Sequence, residues 1–102
     1  MKLNAYAIFD SAAGVYMRPF FAQAHGLATR MFSDLACDAD HDVGKHPEDY
    51  SLYFIGEYDD NKGELKPVTK ECLATAQELV SLSRQKGLNG QVQLFEEVEN
   101  AR

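Results

Sequence analysis

Two runs rich in aromatic and branched residues, Tyr6-Ala-Ile-Phe-Asp10 and Val15-Tyr-Met-Arg-Pro-Phe-Phe21, flank a short Ser11-Ala-Ala-Gly14 segment. This is the pattern of a β-hairpin. Side chains alternate across a strand, so Ala5, Ala7 and Phe9 share one side of the first run, and Tyr6 and Ile8 the other. On the second run the sets are Val15, Met17 and Phe21 against Tyr16, Arg18 and Phe20. Both faces are apolar, whereas a hairpin packed on one side alone carries polar residues on its outer side. The expected outer set is Tyr6, Ile8, Tyr16, Arg18 and Phe20, a face that something beyond the core would cover.

Leu27, Met31 and Leu35 recur every four residues, with Ala28 and Phe32 beside them and Thr29, Arg30, Ser33 and Asp34 opposite. That spacing predicts an amphipathic helix from Leu27 to about Cys37. Residues 38–49 have no apolar period and many loop formers, which predicts an exposed loop. Tyr50 to Tyr58 alternates again as a strand, Asp59 to Gly63 is a turn, and Glu64 to Val68 forms a short strand. Pro67 cannot donate to a ladder, so this strand is expected at an edge. Thr69 is placed to cap a second helix, with Val68 and Leu73 as a hydrophobic staple. Leu73, Ala76, Leu79, Val80 and Ser83 would form its inward stripe and Gly87 its stop. Val92 and Leu94 then alternate briefly before a polar, acidic end.

The order strand, strand, helix, strand, strand, helix predicts an α+β fold. Two ββα units would share a mainly antiparallel four-stranded sheet with both helices on one face. Residues 1–95 form a single domain in this reading, and residues 96–102 a flexible acidic tail. The halves echo one another: Asp10, Gly14, Pro19 and Leu27-Ala-Thr beside Asp60, Gly63, Pro67 and Leu73-Ala-Thr. The crossover through the first helix should be right-handed if the strands it joins are parallel neighbours. The helix-free face would carry Tyr6, Ile8, Tyr16, Arg18, Phe20, Tyr53 and Ile55.

Composition narrows the class. The chain has 102 residues, 45% apolar and 25% charged, the profile of one soluble globular domain. No run of about eighteen apolar residues occurs and the start lacks a signal-peptide core, so no membrane partner and a cytoplasmic location are expected. Net charge is −6 but uneven: residues 1–36 carry +1, 37–60 carry −7, 61–90 carry +2 and 91–102 carry −2. Such a chain repels phosphate backbones at long range, and a nucleic-acid contact needs a local site. Cys37 and Cys72 lack CxxC spacing and read as reduced thiols.

An open aromatic sheet face is the arrangement on which single-strand modules stack bases while nearby cations meet phosphates. Lys2, Arg18 and Arg30 are the available cations, and Tyr6, Tyr16, Phe20 and Tyr53 the rings. The same face also suits a homodimer or higher oligomer, since aromatics and arginine are favoured at interfaces. The loop holds Cys37, Asp38, Asp40, His41, Asp42 and His46, yet a structural zinc site wants paired short spacings and an EF-hand its glycine and closing glutamate. A solvated acidic loop is the simpler reading, with no metal and no cofactor. No nucleophile elbow, phosphate loop or HExxH is present, and the sequence gives no geometry for an acid/base pair of His41 with Glu48 or Asp49, so no enzyme is expected.

Tyr6-Ala-Ile-Phe-Asp-Ser11 with Gly14, Arg18-Pro-Phe-Phe21, Ala28-x-Arg30-x-Phe32, His46-Pro-Glu-Asp-Tyr50 and Ile55-Gly56 resemble the small non-structural protein of gokushovirus-type microviruses. These are tailless phages with circular single-stranded DNA, and the resemblance spans roughly residues 1–65. It implies a non-enzymatic accessory protein in the host bacterial cytoplasm that binds single-stranded DNA during genome synthesis or packaging. An alternative is a module that engages a phage or host replication protein through the aromatic face or the acidic loop.

Overall fold

The computed structural model describes residues 1–85, as β1 (Lys2–Asp10), β2 (Val15–Tyr16), β3 (Phe20–Ala22), α1 (His25–Ala36), α2 (Asp42–Lys45), a 3-10 turn (Pro47–Asp49), β4 (Tyr50–Asp59) and β5 (Glu64–Thr75). Residues 76–85 are helical and are termed α3. The fold is α+β as expected. Its antiparallel sheet has the order β2-β1-β4-β5, with β3 also paired to β1. The first helix joins β3 to β4, which run parallel but on opposite sides of β1, so they are not neighbours. Gly87, the Val92 and Leu94 alternation and the 96–102 tail lie outside the described residues.

Both hairpins close with one device. Gly14 N–H donates to the Asp10 carbonyl at 2.8 Å and Gly63 N–H to the Asp59 carbonyl at 2.8 Å. The two glycines have φ of 71° and 63°, a left-handed conformation that other residues adopt only at a cost. Each aspartate carboxylate then accepts from the turn: Asp10 from Ala12 N–H at 3.1 Å, Asp59 from Asn61 N–H at 3.0 Å. The echo between the halves is therefore tighter than expected here, with Asp59 rather than Asp60 matching Asp10. It fails later, because Leu27-Ala-Thr is helical and Leu73-Ala-Thr ends a strand.

The second strand is broken. Tyr16 pairs with Phe9, and Phe20 with Tyr6, so the register advances by one residue across Met17-Arg18-Pro19. Proline has no N–H for the ladder, which makes this the natural place for the interruption. One extra residue inverts the side-chain parity, and Tyr16 and Phe20 end on opposite faces.

The helices cover the Tyr6 side of the sheet, reversing the expected assignment. Tyr6, Ile8, Ala22, Tyr50 and Leu52 pack with Ala28, Phe32 and Ala36 of α1, Val43 of α2 and Ala76 of α3, and Phe20, Phe54 and Leu79 fill in around them. Ala28 and Ala36 let α1 approach the sheet closely while Phe32 takes up the space between. Leu27 and Met31, expected to face inward, are about half exposed.

The acidic loop is more ordered than its composition suggests. His41 Nδ1 accepts from Val43 N–H at 3.1 Å and caps α2, Asp38 accepts from Asp40 N–H at 2.9 Å, and Val43 is fully buried. A Cβ on Gly44 would sit 1.8 Å from the Asp38 carbonyl oxygen, so the chain can pass there only as glycine.

Thr69 does not cap a helix; it lies inside the twelve-residue β5. The cap is Thr75, whose Oγ1 accepts from Glu78 N–H at 3.2 Å and donates to the Glu78 carboxylate at 2.8 Å. Thr75-Ala-Gln-Glu78 has the sequence of a capping box, with the Glu78 carboxylate meeting the Thr75 hydroxyl in place of its backbone N–H, a stronger signal than the single hydroxyl at Thr69.

Replacing Thr75 with alanine is expected to lower stability by about 1 kcal/mol, and serine to restore most of it, measured by urea denaturation. Gly44→Ala should lower stability by about 1–3 kcal/mol because backbone must move to admit the methyl group. Gly26→Ala, in α1 with nothing within 4 Å of the new Cβ, should raise it by up to about 1 kcal/mol. Thermal melts followed by circular dichroism separate the two signs.

Candidate nucleic-acid interface

Among the described residues no helix covers the other side of the sheet, and this helix-free face is built from the parity that the core leaves over. Register places Ala5, Ala7 and Phe9 of β1 there, with Tyr16 opposite Phe9, Phe21 opposite Ala5, Tyr53 opposite Ala7 and Cys72 opposite Tyr53. Phe9, Tyr16 and Tyr53 form a ring cluster: centroids are 4.6 Å apart for Phe9–Tyr16, 5.7 Å for Tyr16–Tyr53 and 6.4 Å for Phe9–Tyr53. Tyr16 is 40% exposed, and Phe9 and Tyr53 are half-buried. Lys70 Nζ lies 4.8 Å from the Tyr16 ring centroid and donates to the Tyr16 hydroxyl at 3.1 Å.

Burial pushes the Tyr53 phenol above the ordinary tyrosine range; Cys72 and Tyr16 add to this, and the Lys70 ammonium pulls the other way. Tyr53 therefore stays neutral near pH 7 and brings no negative charge to the face.

The proposed rings and cations do not all meet. Tyr16 and Tyr53 sit together, and Ile55 lines an apolar hollow on the same face. Tyr6 is 0% exposed; its hydroxyl is hydrogen-bonded to His25 Nδ1 at 2.8 Å and its ring packs against Phe20 and Phe54. It cannot stack a base, and burial raises its pKa as well. Ile8 and Phe20 belong to the same helix-side layer. The reason is volume: Tyr6 and Ile8 bury far more apolar surface than Ala5 and Ala7.

Lys2 pairs with Asp59 on the helix-side parity and shares a charged hollow with Glu57, Lys62, Glu64 and Lys66. Arg30 is exposed on α1, in the helix layer across the sheet. Arg18 is exposed in the break between β2 and β3. Sequence reasoning missed Phe9, assigned to the core, and Lys70, assigned to a helix. The Thr75 capping box was the signal that β5 continues through Lys70.

Charge is segregated between the two faces. Each carboxylate carried by a described strand, Asp10, Glu57, Asp59, Glu64 and Glu71, pairs in register with the helix-side residues Tyr50, Asn4, Lys2, Asp59 and Phe54 respectively. Outside this face, His46, Glu48 and Asp49 bring one ligand atom each within 4.8 Å of one another at the surface. Cys37 and Cys72 are both free and exposed. Among the described residues no helix is long and apolar enough to cross a membrane.

Comparison with curated proteins and with solved structures gave no match. A family model does match, over residues 3–79, which includes the start of α3 and all of the sheet except Lys2. This chain belongs to the phage ORF5 protein family.

Proposed function

We propose that this phage protein binds single-stranded DNA through the helix-free sheet face, without catalysing a reaction, as an accessory to genome synthesis or packaging in the host cytoplasm. Phe9, Tyr16 and Tyr53 are the stacking rings, and Lys70 and Arg18 meet phosphates. The observation that carries the reading is the pairing of that ring cluster with the segregation of charge. In a chain of net charge −6, this face holds Lys70 and none of the strand carboxylates. A polyanion can approach there although the whole molecule is acidic. Stacking worth roughly 1–3 kcal/mol per base supplies affinity that does not depend on net charge. The resemblance to the non-structural proteins of single-stranded DNA phages supports the same ligand.

Fluorescence anisotropy with a labelled oligo(dT) tests this. Binding is expected at low salt, and Tyr16→Leu with Tyr53→Leu should weaken it about tenfold or more. Lys70→Ala should flatten the dependence of log K on log salt by about 0.7. Lys2→Ala and Arg30→Ala, on the other layer, should change affinity less than about twofold at physiological salt. Absence of binding to any oligonucleotide at low salt, or binding indifferent to both ring substitutions, would overturn the proposal. The apolar hollow would then favour a protein partner.

A further inference from the structure

We infer that the same face carries a second stacking platform, Phe21 with Tyr58, and that the bound strand runs along β1 from one platform to the other. This rests on the single-strand reading above and adds the course and length of the ligand. Phe21 lies opposite Ala5 and Tyr58 opposite Leu3, so both take the parity of the helix-free face. Their ring centroids are 5.5 Å apart with the planes tilted by 47°, and Phe21 is 43% exposed. The first platform is centred on Phe9. Phe21 and Tyr58 stand opposite Ala5 and Leu3, four and six residue steps from Phe9 along β1, which sets the second platform about 13–20 Å from the first.

The ground between them is low and apolar. Ala5 and Ala7 are almost fully buried beneath their larger neighbours, and over Ala5 and Gly56 opens a hollow of about 270 Å³ walled by Pro19, Phe21, Ile55, Leu65 and Pro67. Gly56 is required there: a Cβ would lie 2.6 Å from the Lys66 carbonyl oxygen. Such a hollow accepts the flat faces of bases and offers their edges no hydrogen-bonding side chain. Arg18 lies on the chain between Tyr16 of the first platform and Phe21 of the second, and Lys70 stands at the first. A cluster of three rings, a second pair, an apolar hollow and cations without strand carboxylates match a single polyanionic strand better than an acidic or strongly polar protein surface.

The test is a length series of labelled oligo(dT) from about 4 to about 16 nucleotides, titrated against the wild-type protein by anisotropy. Affinity should climb with length until both platforms are spanned and then level off. Phe21→Leu with Tyr58→Leu should cost about tenfold on the longest oligonucleotide and less than about twofold on the shortest. Photocrosslinking of the unaltered protein to iodouracil-containing strands gives a readout that needs no substitution, with adducts expected at Phe21 or Tyr58 as well as at Tyr16 or Tyr53. Binding that is independent of length, or adducts confined to Tyr16 and Tyr53, would remove the second platform while leaving the first in place. Absence of binding at every length would overturn both readings together.

Discussion

Alternation along β1 allows only one of its faces to lie under the helices, and the rest of the molecule follows from which one. Tyr6 and Ile8 are buried with Phe32 and Leu52, so Ala5, Ala7 and Phe9 must turn outward. Because β1 sits in the middle of the sheet, its parity is passed to both neighbours through the ladder: Tyr16 follows Phe9, and Tyr53 follows Ala7. The outward face is thus a by-product of core packing, low at its centre where the alanines lie and ringed at its ends.

The same ladder sorts charge. A strand residue placed one step along the chain changes faces, so the carboxylates Glu57, Asp59, Glu64 and Glu71 share a side by register. Lys2 joins them and is lost to the ring cluster. Lys70 takes the opposite side because it stands one step before Glu71, the partner of Phe54, at the end of a bulge in which β5 has three residues, Val68 to Lys70, against Ile55 alone. A bulge that re-aims one side chain beside a candidate site is a recurrent use of such irregularities. Net charge −6 consequently says little about the field over this one surface.

Much of this was legible in the residues. The aromatic runs marked β1 and β4, the aspartate-to-glycine spacings marked both turns, and the four-residue recurrence marked α1. Even the pairing of Phe9 with Tyr16 follows from the short loop Ser11–Gly14, and with it the fact that these rings share a face. The expected outer face instead set Tyr16 with Tyr6 and Ile8, on the side opposite Phe9, and carried one parity past Pro19, where an extra residue inverts it, so Tyr16 and Phe20 were grouped together. On β5 a lone threonine at 69 was preferred as a cap over the box at Thr75 and Glu78, and Lys70 was displaced into a helix.

The order of elements, the antiparallel hairpins and the supply of exposed rings were determined by the sequence itself, because alternation, turn chemistry and capping act over a few residues. Which face became core was decided only in the tertiary structure. Both faces of β1 are apolar, and the choice between them depends on what the distant Phe32, Val43 and Ala76 can pack against, a comparison of buried surface that no local pattern contains.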